Sequence, residues 1–190
     1  MIYIFTDGGS IANGKPNCIA SWAYCVVRRA GDKDPEILET GKGLVDKVVI
    51  VGKKYQTSNN RGELTGVLRG FEALERLAAT GVVDIAREAV CVVSDSQYSI
   101  KCLSVWLPSW IMKNTVHMQL NTDLLLATKA IIDKLRLNVE YMHVRSHKKE
   151  PEKTSGAWFY WKYNDIVDVE CGAVLAHARP AKIGARTCKK

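Results

Sequence analysis

Apolar and polar positions along the chain change period several times, and each change marks an element. Residues 1–6 form an apolar run that closes at Asp7, and residues 89–94 form another that closes at Asp95. Both read as short strands delivering an acid where the apolar pattern stops, so parallel neighbours would bring the two acids together. The alternation of Ala20, Trp22, Tyr24 and Val26 predicts a strand over Ile19–Arg28. Gly14, Pro16 and Asn17 before it predict the turn of a hairpin with residues 2–6. Residues 37–44 and 48–51 predict a further strand pair, after the charged loop 31–35.

From residue 61 to 79 the period becomes helical. Leu64, Val67, Leu68, Phe71, Leu74 and Leu77 recur at three and four, with Ser58, Asn59 and Asn60 as cap chemistry and Gly81 as the stop. Shorter helical stretches follow at 96–104 and 105–112, then a longer one at 121–134, a strand at 138–144 and a last helix at 164–178. The resulting order, βββαβαβα, predicts an α/β fold with a mixed sheet flanked by helices. Neither a repeat nor a domain linker interrupts it.

Composition narrows the class. A chain of 190 residues with 47% hydrophobic and 25% charged residues can bury one sizeable core, which excludes disordered and fibrous classes. No apolar run reaches the roughly 20 residues that cross a bilayer, so a soluble, intracellular protein without a membrane partner is expected. Six cysteines without a CxxC pair lie mostly in apolar patterns and read as reduced thiols. The net charge of +7 is uneven, because Arg179, Lys182, Arg186, Lys189 and Lys190 carry no acid among them. Residues 1–178 therefore read as the globular domain and 179–190 as a basic tail. That tail suits a polyanion such as nucleic acid, though it equally suits a solvated end.

Four acids carry the chemistry: Asp7, Glu63, Asp95 and Asp168. Singly, each has a plain structural explanation. Glu63 can stabilise a helix N-terminus, Asp95 can cap the next helix, and Asp168 can be a solvated helical residue. Together they suit Mg²⁺, which takes oxygen ligands and, as an ion pair, supports in-line displacement at phosphate.

Local sequence separates these readings. Asp7 sits in Phe5-Thr-Asp-Gly-Gly-Ser10, Glu63 in Ser58-Asn-Asn-Arg-Gly-Glu-Leu64 and Asp95 in Val93-Ser-Asp-Ser-Gln-Tyr98. His143-Val-Arg-Ser-His147 and Asn164-Asp-Ile-Val-Asp168 follow in order. These segments resemble the motifs of type 1 ribonuclease H, and the resemblance extends from residue 1 to about 178. It implies a ribonuclease H-like five-stranded sheet in which strands 1–3 are antiparallel and strands 1, 4 and 5 parallel. It also implies endonucleolytic cleavage of the RNA strand of an RNA–DNA hybrid, leaving 5′-phosphate and 3′-hydroxyl ends.

Carried over by motif, Asp7, Glu63, Asp95 and Asp168 would hold two Mg²⁺ ions, with Mn²⁺ as a substitute, and His147 would assist turnover. His143, at the end of an apolar strand pattern, is expected to pack instead. Residues matching Asn13, Asn59, Asn60 and Gln97 line the minor groove in the family, and those matching Ser58 and Asn121 help seat a DNA phosphate. Asn13, Ser58 and Asn59 also suit turn or cap roles. Trp106 matches an aromatic position beside the DNA strand, while Trp110 is expected in the core.

Two departures stand out. Where long-handled members carry a basic, Trp-containing protrusion, residues 111–120 offer Lys113 alone. Residues 148–163, longer than the family's usual loop, interleave lysines with Trp158, Phe159 and Trp161, either as a nucleic-acid surface or as anchors to the body. No hybrid-binding segment is expected ahead of residue 1, so tethering falls to the tail, this segment or a partner such as a polymerase, and the chain is expected to act as a monomer. The competing readings are a DNA-directed nuclease or recombinase on the same fold and a catalytically silent nucleic-acid-binding module.

The tail makes the first prediction. Deleting residues 179–190 should raise the Michaelis constant for hybrid and flatten its salt dependence, because fewer counterions are released on binding. Unchanged binding by the truncated protein would remove the tail from the interface.

Overall fold

The computed structural model describes residues 1–31, 34–48, 57–146 and 148–179. Its elements run β1 (Ile2–Ile11), β2 (Ile19–Arg28), β3 (Glu36–Leu44), α1 (Asn59–Ala79), β4 (Val90–Ser94), α2 (Gln97–Lys101), α3 (Leu107–Met112), α4 (Thr122–Lys134), β5 (Val139–His143) and α5 (Gly156–Ala178). A π-helical turn, Cys102–Trp106, joins α2 to α3, and a 3₁₀ turn, Val116–Met118, precedes α4. Of the strand expected at 48–51, Val48 lies outside any strand and the rest lies outside the described residues.

The sheet order is β3-β2-β1-β4-β5. β1 pairs antiparallel with β2 and β2 with β3, whereas β4 runs parallel to both β1 and β5. The expected mixed α/β sheet is therefore present, and Asp7 and Asp95 follow the last parallel pair, Thr6 and Ser94. One boundary differs from the apolar pattern. β1 continues to Ile11 because residues 7–11 keep their antiparallel partners on β2, Asp7 opposite Ala23 and Ile11 opposite Ile19. The end that exposes the acids is that of β4, not of β1.

Each face of the sheet buries its own core. Ile2 and Ile4 of β1 point to one side, where Leu64, Val67, Phe71 and Leu74 of α1 and Leu125 of α4 cover them. Tyr3 and Phe5 point to the other, against Phe159, Tyr163, Val167 and Cys171 of α5. This two-sided burial explains why the strand sequences read as continuous apolar runs.

α5 begins eight residues before the start expected at Asn164. Ser155 caps it by accepting the Ala157 N–H at 3.2 Å, and Phe159, Tyr163, Val167 and Cys171 then follow at helical spacing on the buried face. The aromatic stretch is thus largely the first two turns of a core helix. Phe159 is an anchor, with its ring centroid 4.9 Å from that of Tyr3. The indole N–H groups of Trp158 and Trp161 tie the preceding loop to the helix, donating to Glu150 Oε1 at 3.1 Å and to the Lys148 carbonyl at 3.0 Å.

α1 lies unusually close to the strands. A Cβ on Gly62 would stand 2.5 Å from the Ser21 carbonyl oxygen, and one on Gly66 would stand 2.9 Å from that of Asp7. Gly70 meets Ile4, and on the strand side Gly8 faces the backbone of Gly62 and Glu63. At Gly8, Gly62 and Gly66 the nearest neighbours are backbone, which cannot swing away. Gly8→Ala should cost about 3 kcal/mol, lowering the thermal midpoint by about 6–12 °C. Thermal unfolding by circular dichroism checks this, and an unchanged midpoint would refute the close approach.

Candidate metal centre and nucleic-acid interface

Three of the four expected acids converge. Asp7, Glu63 and Asp95 each present a carboxylate oxygen, and the three oxygens lie within 4.8 Å of one another. Asp7 comes from mid-β1, Glu63 from the second turn of α1, and Asp95 from the residue after β4. Asp168 of α5 lines the same cavity, of about 340 Å³, but lies outside that close triad. Asp95 is not the cap of the next helix. Ser96 does that work, its Oγ accepting from the Ser99 N–H at 3.3 Å.

The triad is buried as well as acidic. Asp7 is 7% and Glu63 6% exposed. Burial pushes the Asp7 carboxyl up to about 6 from its ordinary value near 3.8, with the Asp95 carboxylate adding to the rise and hydrogen bonding from Gly8 opposing it. Glu63 is pushed well above its ordinary range, again chiefly by burial and then by the charges of Asp7 and Asp95. Asn59 supplies Glu63 with one donor, Nδ2 to Oε1 at 3.4 Å, while Oε2 is buried with no hydrogen-bond partner among the described residues. An all-oxygen donor set that is costly to ionise unaided suits a hard divalent cation.

The histidines divide differently from expectation. His143 is not packed. It is exposed at the end of β5, and its Nε2–H donates to the Asp95 carbonyl at 3.0 Å, holding the backbone of one triad member. His147 lies outside the described residues.

The residues matched to hybrid binding fall into two groups. Asn13, Ser58, Asn60 and Asn121 line one cavity of about 220 Å³ with Tyr98, while Asn59 faces the acids. Asn13 and Ser58 also serve α1, Asn13 Oδ1 accepting from the Asn59 N–H at 3.1 Å and Ser58 Oγ from the Arg61 N–H at 3.3 Å. Gln97 is exposed on the first turn of α2. Trp106 and Trp110 are both half-buried against the α1 core, their ring centroids 5.9 Å apart.

One residue escaped the sequence reading. Arg61, 5% exposed, grips Asp123 of α4 with two bonds, Nη1 to Oδ1 at 3.0 Å and Nη2 to Oδ2 at 2.7 Å. Its Nη1 also donates to Asn121 Oδ1 at 3.3 Å, and Asn121 Nδ2 donates to the Tyr98 hydroxyl at 3.3 Å. Asn121 takes up a left-handed backbone, φ 59°, so its amide is set by both backbone and side chain. The arginine beside Asp123 holds that carboxyl below its usual range. An arginine in an N-terminal helical turn reads as solvated unless its distant partner is known.

The buried acids fix the sign of a pH effect. The folded Asp7 pKa lies above the unfolded one, so between about pH 4 and 6 the folded state binds the extra proton and stability falls as pH rises. The loss, up to about 3 kcal/mol from this group, persists above pH 6. In metal-free buffer, Asp7→Asn should therefore raise the thermal midpoint at neutral pH and flatten its decline with pH. Adding Mg²⁺ should stabilise the wild type and leave the variant nearly unmoved. Identical pH profiles for the two proteins would refute the account.

Comparison with known proteins bears on descent and on the fold. The sequence model of the RNase H family matches residues 1–160. A ribonuclease H of Treponema pallidum is 31% identical over 174 residues, 87% of this chain and 85% of that protein. One from Acidithiobacillus ferrooxidans is 36% identical over 110 residues, 58% of this chain and 52% of that protein. Among solved structures, the PFV RNase H domain superposes with a TM-score of 0.63 at 14% identity, covering 91% of this chain and 93% of that one. LC11-RNase H1 in complex with an RNA/DNA hybrid gives 0.53 at 18% identity, covering 92% and 99%. At such identities the solved structures speak for the fold, and the sequence match speaks for descent. The chain belongs to the ribonuclease H family.

Proposed function

We propose that the protein is an endoribonuclease that hydrolyses the RNA strand of RNA–DNA hybrids, acting as a monomer with two divalent cations held by Asp7, Glu63, Asp95 and Asp168. The observation that carries this reading is the triad of carboxylates within 4.8 Å, two of them buried and shifted toward the protonated form by burial and by their acidic neighbours. Mg²⁺ bound there, or Mn²⁺ in its place, would polarise the attacking water and offset charge on the leaving oxygen.

The chain's own groups have separate tasks. Asp7, Glu63 and Asp95 gather negative charge where a phosphodiester could approach only with cations present. His143 fixes the Asp95 backbone, while the Arg61–Asp123 pair holds Asn121 on the wall of the neighbouring polar cavity. That cavity offers short amides and hydroxyls, groups able to follow a phosphate backbone and test for a 2′-hydroxyl. His147 is proposed to assist turnover. In-line attack by water, with departure of the 3′ oxygen, leaves 5′-phosphate and 3′-hydroxyl ends.

A labelled hybrid, an RNA duplex and a DNA duplex, each incubated with the protein and Mg²⁺, decide the matter. Only the RNA strand of the hybrid should be cut, and equal cutting of the duplexes, or none of the hybrid, would overturn the proposal. Asp95→Asn removes a charge while nearly keeping the shape. It should slow cleavage by more than the roughly 10- to 100-fold that changes outside the ligand set cost at metal sites.

A further inference from the structure

A second cleft lies on the other side of Asp168, between the chain leaving β5 and the opening turns of α5. Its volume is about 560 Å³, within the range that encloses a small ligand. Asp168 lines both this cleft and the acid cavity, so the two share a rim. The rest of its lining includes the cations Arg145, Lys148 and Lys149, the rings of Tyr160 and Trp161, and Asn164.

The two rings and Asn164 are built into the fold, while Arg145, Lys148 and Lys149 are exposed. Tyr160 is wedged edge-on against Tyr3 and Phe159, with centroids 5.9 and 5.1 Å away. Trp161 is fixed by its bond to the Lys148 carbonyl. Asn164 is 6% exposed, and its Oδ1 is buried with no hydrogen-bond partner among the described residues. A ligand completing this site would present a flat face to the rings and an anion to the three cations. The cations outnumber the two lining carboxylates, Asp165 and Asp168.

A nucleotide has both features, but only when unpaired, because a duplex hides its base faces. We propose that this cleft binds one unpaired nucleotide, its base against Tyr160 and Trp161 and its phosphate near Arg145, Lys148 and Lys149. The source of that nucleotide rests on the hybrid reading: it is single-stranded RNA flanking the hybrid on the far side of Asp168. A free nucleoside monophosphate carries the same chemistry.

The test needs no cleavage. Without divalent metal, the full-length protein is titrated with a short blunt hybrid and with the same hybrid carrying a single-stranded RNA extension at either end. The extended form should bind about 5- to 10-fold tighter, the worth of a base stacked on protein rings. Trp161→Ala should remove that advantage while blunt affinity stays within about twofold. The paired change Lys148→Ala and Lys149→Ala, at exposed side chains, should reduce the advantage without disturbing the fold. A second arm follows tryptophan fluorescence against adenosine monophosphate. Saturable quenching in the wild type but not in Trp161→Ala adds free nucleotide as an occupant, and an overhang advantage without quenching restricts the site to strand ends. Equal affinity for blunt and extended hybrids together with no quenching overturns the proposal, as does an advantage that survives both sets of changes. Failure of either hybrid to bind would count against the functional reading, and the quenching arm would then decide the cleft by itself.

Discussion

The close seating of α1 on β1 and β2 is the constraint on which the site depends. Gly62 and Gly66 face strand backbone with no side chain between, Gly70 makes room for the Ile4 side chain, and Gly8 returns the favour from β1. Three glycines inside a helix cost roughly 1 kcal/mol each relative to alanine. Burial of Val67, Phe71 and Leu74 on the same helix offsets this at about 1.5–3 kcal/mol per side chain. The arrangement gains proximity. Glu63 stands one residue from Gly62, so the contact that packs the helix also delivers its carboxylate to Asp7.

That proximity has an electrostatic consequence. Three carboxylates close together and mostly out of water repel one another, and the shifts of Asp7 and Glu63 toward protonation express the cost. The cluster therefore favours whatever supplies positive charge, protons in acid and cations at neutral pH. Residues that brace the cluster act on backbone rather than on charge. His143 holds the Asp95 carbonyl, and Cys171 packs its thiol against the Asp7 carbonyl at 3.3 Å. Bracing of this kind keeps the acids in place without neutralising them, so their demand for a cation is undiminished.

The parts legible in the sequence were those encoded by local pattern. Apolar runs ending in acids located β1 and β4, and the three-four period of Leu64 to Leu77 located α1. The parts that were not legible depend on partners distant in the chain. Arg61 and Asp123 are 62 residues apart, and nothing in either neighbourhood announces the other. The start of α5 escapes the sequence because Trp158, Phe159 and Trp161 read as part of a loop, either as a nucleic-acid surface or as its anchors to the body. Only the fold shows that Phe159 and Tyr163 share one buried face. The glycine spacing in α1 was visible but carried no message until the strands beneath it were known. His143 was misjudged for the converse reason: a strand-end position suggests packing, yet β5 is the last strand of the sheet and its end opens onto Asp95.

α5 then acts as a ruler for the far side of the site. Phe159, Tyr163, Val167 and Cys171 fix the helix against β1 and β2, and Asp168 follows Val167 directly, so its position is set by the same packing. Tyr160 and Asn164 each follow a buried aromatic in the same way. A shift of the helix along its axis would therefore move Asp168, Tyr160 and Asn164 together and tear four side chains out of the core at once. The eight residues added at the front of α5 accordingly do more than lengthen a helix. They extend the rigid register that positions Asp168 into the wall of the adjacent cleft, so both sides of that shared rim inherit one set of core contacts.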